Sequence, residues 1–179
     1  MDAPLPTLRD GELVLRPQAE ADLEALVAMI GDPSVGQWWG MYAGEEEIRE
    51  DLRHDGTAFT IESDGAVAGW LGVSEEPNPD YRYASLDISL RPEFQDRGLG
   101  TAALRLAMRW LLDELGHHRL TIDPNAENAR AIHVYESLGF RPVGIMRRVE
   151  RGPDGAWRDG LLMDLLRADF RSGKHENDT

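Results

Sequence analysis

The chain has 179 residues, 41% hydrophobic and 29% charged, which is enough apolar side chain for the core of one ordinary domain. It contains no cysteine, which excludes disulfides, thiolate nucleophiles and cysteine-ligated zinc. Charges interrupt every apolar stretch well short of the ~20 residues a bilayer span needs. Residues 1–90 carry 19 acids and 5 bases, and the remainder carries 14 of each, so the net charge of −14 lies wholly in the first half. An acidic surface repels nucleic-acid phosphate and anionic lipid, so no nucleic acid and no membrane is expected as a partner. It gathers cations, which makes a cationic small molecule or a basic peptide the natural ligand, although surplus acid also serves solubility alone. The opening run Met1–Pro6 lacks the basic and apolar regions of a secretory signal, and a cytoplasmic protein is expected.

Along the chain, Glu12–Arg16 reads as a first strand. Leu23, Leu26, Val27 and Ile30 fall on one helical face, predicting a helix over 21–30 that Gly31-Asp32-Pro33 ends. A more polar helix is expected over 45–54. Residues 57–62 and 66–73 flank Asp64-Gly65 and predict a hairpin with a two-residue turn. Pro77 to Asp80 is a loop. Ala84, Leu86, Ile88 and Leu90 alternate with polar residues and mark a strand with one buried face. Leu104, Ala107, Met108, Leu111 and Leu115 make an amphipathic helix, followed by a strand over 119–123 that Pro124 stops. Ala131, Ile132, Tyr135 and Leu138 give a helix that Gly139 caps. Two strands over 140–146 and 157–166 close the domain, joined through Gly152-Pro-Asp-Gly155. Residues 1–170 are thus expected as one domain of mixed α/β order, and 171–179 as a polar, frayed tail.

Two segments carry chemistry. Gln95-Asp-Arg97-Gly98-Leu99-Gly100-Thr101 sits between a strand and a helix. Glycines there let backbone N–H groups turn outward, and the helix N-terminus adds its positive dipole end, so the pair can cradle phosphate without lysine or metal. No Lys-Ser/Thr follows, so it is not a P-loop, and the third glycine of a dinucleotide fingerprint is missing. One strand–helix unit later comes Asn128-Ala-Arg130-Ala131-Ile-His-Val-Tyr135-Glu-Ser-Leu-Gly139-Phe140.

Together the patterns Gln-x-x-Gly-x-Gly and Asn-x-x-Ala-x-x-x-Tyr-Glu-x-x-Gly-Phe resemble the GNAT (Gcn5-related) N-acetyltransferases, in that family's order and separation. The resemblance implies an α/β (α+β) GNAT fold: a central mixed, mostly antiparallel twisted sheet with a splayed strand pair, flanked by helices. It implies acetyl-CoA as cosubstrate. Backbone amides from Arg97 to Thr101 would hold its pyrophosphate, with Gln95, Leu99 and Arg130-Ala131 beside them. The strand ending at Leu90 would splay from that at 119–123 to admit the pantetheine, which Asn128 would bond. Tyr135 would protonate the departing thiolate, a task that suits a phenol of pKa around 10; from spacing alone it is a helix-packing residue. With no cysteine nucleophile, direct attack by an amine is expected, and Asp87 or Asp123 would take its proton. Both are equally explicable as strand-end or turn carboxylates.

Trp38-Trp39 with Glu45 to Glu47, and Asp87 with the run to Asp123, resemble aminoglycoside 6′-N-acetyltransferases. There, Trp38, Trp39, Glu75, Asp80, Asp87 and Asp123 would bind a polyamine sugar, indole faces against the ring and carboxylates on ammonium groups. Trp38-Trp39 reads equally as an apolar plug. Gly155-Ala-Trp157-Arg-Asp159-Gly resembles instead the C-terminal hairpin of ribosomal-protein N-terminal acetyltransferases, which keeps a peptide or another polyamine open as acceptor. A degenerate acyl-CoA-binding domain is the non-enzyme alternative. The five histidines show no metal spacing, so no metal is expected, and a monomer or homodimer fits either reading.

Overall fold

The computed structural model describes residues 5–54 and 57–170; the expected tail lies outside them. Its eight strands are β1 Leu8–Asp10, β2 Leu13–Pro17, β3 Thr57–Ser63, β4 Ala66–Glu75, β5 Ala84–Leu90, β6 Arg119–Ile122, β7 Arg141–Arg151 and β8 Trp157–Leu166. They form one sheet in the order β1-β2-β3-β4-β5-β6-β8-β7, antiparallel at every junction except β5–β6. The helices are α1 Leu23–Gly31, α2 Pro33–Gly36, α3 Glu45–His54, α4 Leu99–Arg109 and α5 Ala129–Ser137.

Strand alternation sends neighbouring β4 side chains to opposite faces. Leu71 enters the larger core with Leu15, Phe59 and Ile61, which α4 closes with Leu104, Ala107 and Met108. Trp70 enters a second core with Leu26 and Ile30 of α1 and Leu52 of α3. Gly72 makes room for that indole: a Cβ there would stand 2.3 Å from its ring. Both halves of the chain are therefore pinned to one sheet from opposite sides.

Several expectations shift by a few residues. Asp64 and Gly65 turn the β3–β4 hairpin with φ of 52° and 75°, as a two-residue turn of mirror-image type requires. Asp32-Pro33 was expected only to stop a helix; Asp32 also caps the next one, accepting from the Ser34 N–H, and Pro33 opens α2. The amphipathic helix begins at Leu99, five residues before its first core leucine, and runs on into a π-helical turn, Trp110–Glu114, that buries Trp110, Leu111 and Leu112 together. The largest correction is β7, which continues to Arg151 through two irregularities in its pairing with β8. At the second, Met146 pairs with Gly160 and Glu150 with Arg158, so three residues of β7 face one of β8. Arg148 takes φ 53° there, its N–H donating to Asp159 Oδ1 at 2.8 Å. Such a bulge re-aims the side chains that follow it.

Candidate active site

The parallel pair β5–β6 makes the site. Only Ala84↔Leu120 and Ser85↔Thr121 are in register. The Ser85 and Thr121 hydroxyls meet at 2.7 Å at the point where the strands part. Beyond it β5 stays paired with β4 to Leu90, while β6 ends at Ile122 and pairs with β8. The gap opens into a cleft of about 790 Å³.

One end of the cleft is built of backbone. Gly98, at φ 74°, is the N-cap of α4, and the first intrahelical bond runs from the Ala102 N–H to its carbonyl at 3.0 Å. The N–H groups of Leu99, Gly100 and Thr101 fall in the first turn, where a helix supplies no acceptors. A Cβ added at Gly98 would meet nothing within 4 Å, so it would stand in the open cradle rather than in packing. Leu90 underlies this turn, its Cδ1 3.4 Å from where a Gly100 Cβ would be. The loop is braced from α5: Arg130 Nη1 donates to Gln95 Oε1 at 2.9 Å, and Gln95 Nε2 donates to the Leu90 carbonyl at 2.8 Å. Arg130 also pairs with Asp96 at 3.0 Å. Open N–H groups at a positive helix end, with space where a side chain would be, fit the pyrophosphate of CoA. Two assigned residues differ in detail. Arg97 is exposed, its guanidinium 5.7 Å from the Phe94 ring centre, and it does not line the cleft. Asn128 uses its Oδ1 as the cap of α5, accepting from the Ala131 N–H at 3.1 Å.

The other end is acidic. Tyr135 lines the cleft from α5 with only 6% of its surface exposed. Burial, and then the charges of Asp87 and Asp123, push its phenol above the usual value, so it stays protonated. Asp123 follows directly on β6 and faces the cleft; surrounding protein displaces enough water to raise its carboxyl. Asp87 is exposed and accepts from the Ile88 N–H at 2.7 Å, which turns it back onto its own strand. A third carboxylate, Glu150, was not anticipated. The β7 bulge carries it into the cleft wall, where burial and then Asp123 raise its carboxyl. Irregular pairing erases the two-residue alternation by which a sequence would betray such a position.

The indoles divide. Trp38 lines the mouth and is 36% exposed. Trp39 also lines the cleft, but its indole N–H donates to Ser89 Oγ at 2.8 Å and its ring meets Trp70 edge-on, 5.5 Å between centres. It joins α2 to β5, which is the plug reading. Glu75 and Asp80 are not in the lining. Glu75 Oε2 accepts from the buried His117 Nε2–H at 2.8 Å, at the end of β4 away from the splay. Asp80 sits in the exposed loop before β5, its N–H bonded to Asn78. Among the described residues no group of three or more His, Cys, Asp or Glu side chains is arranged to hold a metal ion.

The sheet is splayed at its single parallel junction, with a helix N-terminus at one end of the gap and a buried tyrosine beside carboxylates at the other, an arrangement suited to holding an acyl-CoA against an amine. A family model for the acetyltransferase (GNAT) domain matches residues 12–141, and the chain belongs to that family. It is 29% identical over 163 residues to a spermidine N(1)-acetyltransferase of Escherichia coli K12, covering 87% of each chain. It is 30% identical over 132 residues to the N-alpha-acetyltransferase RimI of Mycobacterium tuberculosis, covering 73% of this chain and 76% of that one. The fold superposes on a Vibrio cholerae spermidine N-acetyltransferase solved with CoA and spermine, at TM-score 0.75 and 23% identity over 89% of this chain and 98% of that one. The protein is an acetyl-CoA-dependent N-acetyltransferase of this family.

Proposed function

We propose that the acceptor is a primary amine of a small molecule carrying several ammonium groups, a linear polyamine in the first place. The observation that carries this reading is the acidic acceptor end, where Asp123 and Glu150 face the cleft beside Tyr135. Acetyl-CoA supplies the acetyl group as a thioester and leaves as the thiol. The α4 N-terminus holds its phosphates, and the edge of β5 past Leu86 receives the pantetheine arm. Asp123, a carboxylate of raised basicity, takes the proton that the acceptor's ammonium must lose before its nitrogen can attack. Asp87 is the weaker candidate for that role because its own strand holds it. The Tyr135 hydroxyl gives its proton to the departing sulfur, and its raised pKa keeps that proton in place until a basic thiolate forms.

An aminoglycoside 6′-amine is the second acceptor of this class. The exposed Trp38 at the mouth supports it, since an indole face packs against a sugar ring. Glu75 and Asp80, expected to hold further ammonium groups of such a sugar, lie outside the lining, so the linear polyamine comes first. The test is mass spectrometry of products formed from acetyl-CoA with spermidine, with aminoglycosides carrying a 6′-amine or a 6′-hydroxyl, and with basic N-terminal peptides. Acetylated spermidine supports the proposal. Acetylation of peptides alone overturns it, and binding of acetyl-CoA with no product from any amine returns the chain to a non-catalytic acyl-CoA-binding domain.

A further inference from the structure

Glu150 is a half-buried carboxylate without a counter-charge. Two arginines flank it, Arg151 next in sequence and Arg158 across in register, and both are occupied elsewhere. Arg158 stands directly across in register but pairs with Asp154 at 2.7 Å. The Arg151 guanidinium lies over the Trp157 ring, 5.8 Å from its centre, and its Nε donates to the Gly155 carbonyl. Among the described residues no hydrogen bond or ion pair meets the Glu150 side chain. Close above it is Gly40, whose added Cβ would be 3.9 Å from Glu150 Oε1, so the segment that follows Trp38-Trp39 covers the carboxylate on the acceptor side.

A carboxylate withdrawn from water and left unpaired costs free energy that a bound cation returns. The chain holds this one in place through a bulge with a non-glycine residue at positive φ, Arg148, a conformation that itself costs energy. A second, independent sign of a missing ligand stands beside it. Tyr135, nine-tenths buried, lines the same cleft, and its hydroxyl has no hydrogen-bond partner among the described residues.

We infer that Glu150 determines acceptor specificity: it takes the second ammonium group of a diamine or polyamine while the reacting amine lies between Asp123 and Tyr135. This rests on the reading of the cleft as an amine acetylation site. It explains why the acceptor end carries more carboxylate than one amine needs. Burial, and then the charge of Asp123, raise the Glu150 carboxyl; a dication can offset both carboxylates that face the cleft, and a monocation only one of them. An acceptor with one ammonium group leaves Glu150 unpaired.

The experiment compares kcat/KM for putrescine and n-butylamine, which differ only in the second amine, in the full-length wild type and in Glu150→Gln and Glu150→Asp. The wild type is expected to prefer the diamine. Glu150→Gln is expected to cut the diamine-to-monoamine ratio about tenfold, chiefly through the diamine KM, and Glu150→Asp to restore part of it. Acetyl-CoA affinity, read by thermal shift, controls for a fold defect, because Glu150 lies away from the phosphate end. An unchanged ratio in Glu150→Gln overturns the inference and leaves the acetylation reading standing. Failure of the wild type to release thiol with any amine overturns both.

Discussion

Tyr135 is where packing and chemistry coincide. Its ring sits in the larger core and meets Phe140 edge-on, 6.3 Å between centres, while its hydroxyl lines the cleft. Tyr135→Phe keeps the ring and removes only the hydroxyl, the proposed proton donor. It is expected to lower kcat by about 10²-fold or more with little change in the KM for acetyl-CoA, which steady-state thiol release measures. At Asp123 the sign of the pH dependence follows from its raised carboxyl. As the proposed base Asp123 works only when ionised, so kcat/KM is expected to fall as pH is lowered through a limb above the ordinary carboxylate range, and Asp123→Asn to remove that limb together with most of the rate. Loss of rate with an unchanged limb would assign it to another group. Sequence spacing shows Tyr135, because a helix places fixed residue types at fixed offsets. It does not show Glu150, whose direction is set by a bulge, nor that Glu75 turns toward His117, because composition reports how much charge there is and not where it points.

At the scale of elements, the glycine turn into α4 and the Arg16–Asp22 anchor carry separate predictions. Gly98 takes a φ that β-branched residues do not adopt, and a Cβ there would stand in open space at the proposed phosphate cradle. Gly98→Val is therefore expected to abolish acetyl-CoA binding, read as loss of the ligand-induced rise in Tm; wild-type affinity would move the phosphate site elsewhere. Asp22, 4% exposed, joins the start of α1 to β2 by accepting from Arg16 Nη1 at 2.7 Å and Nη2 at 2.8 Å. Burial alone would raise its carboxyl, but Arg16, the Ala19 N–H and Thr60 outweigh it and bring it down to about 2. A carboxyl depressed by folding stabilises the fold above its unfolded value, and that stability is lost as pH falls through about 2. Asp22→Asn leaves Arg16 without its main partner in a half-buried position and is expected to cost about 3 kcal/mol by denaturant titration at neutral pH. The strand–turn–helix elements from β5 to α5 are legible in the sequence because each is bounded by glycine, proline or a capping side chain. β1 and the far half of β7 are not, since three residues are too few to show alternation and paired arginines at a bulge break it.

Across the whole molecule, the charge division of the sequence finds a structural counterpart. The acidic first half supplies β1 to β5 and the helices α1 to α3; of its acids Asp87 lines the cleft, and the rest lend it their field from outside the lining. Steering of a polycation by that field weakens as salt shortens the screening length to about 10 Å at 0.1 M. The KM for spermidine is therefore expected to rise with ionic strength more steeply than that for a monoamine; equal slopes would confine the electrostatics to contact pairs.

The central claim is acetyl transfer to a polyamine at the splay of β5 and β6. Its most direct test is thiol release from acetyl-CoA with spermidine, run side by side in the wild type and in Tyr135→Phe, with the acetylated product weighed. The account predicts one acetyl group on spermidine per thiol released by the wild type, and near-loss of both in the variant despite retained acetyl-CoA binding. Tight binding of acetyl-CoA with no spermidine product, or equal turnover by the two proteins, would contradict it.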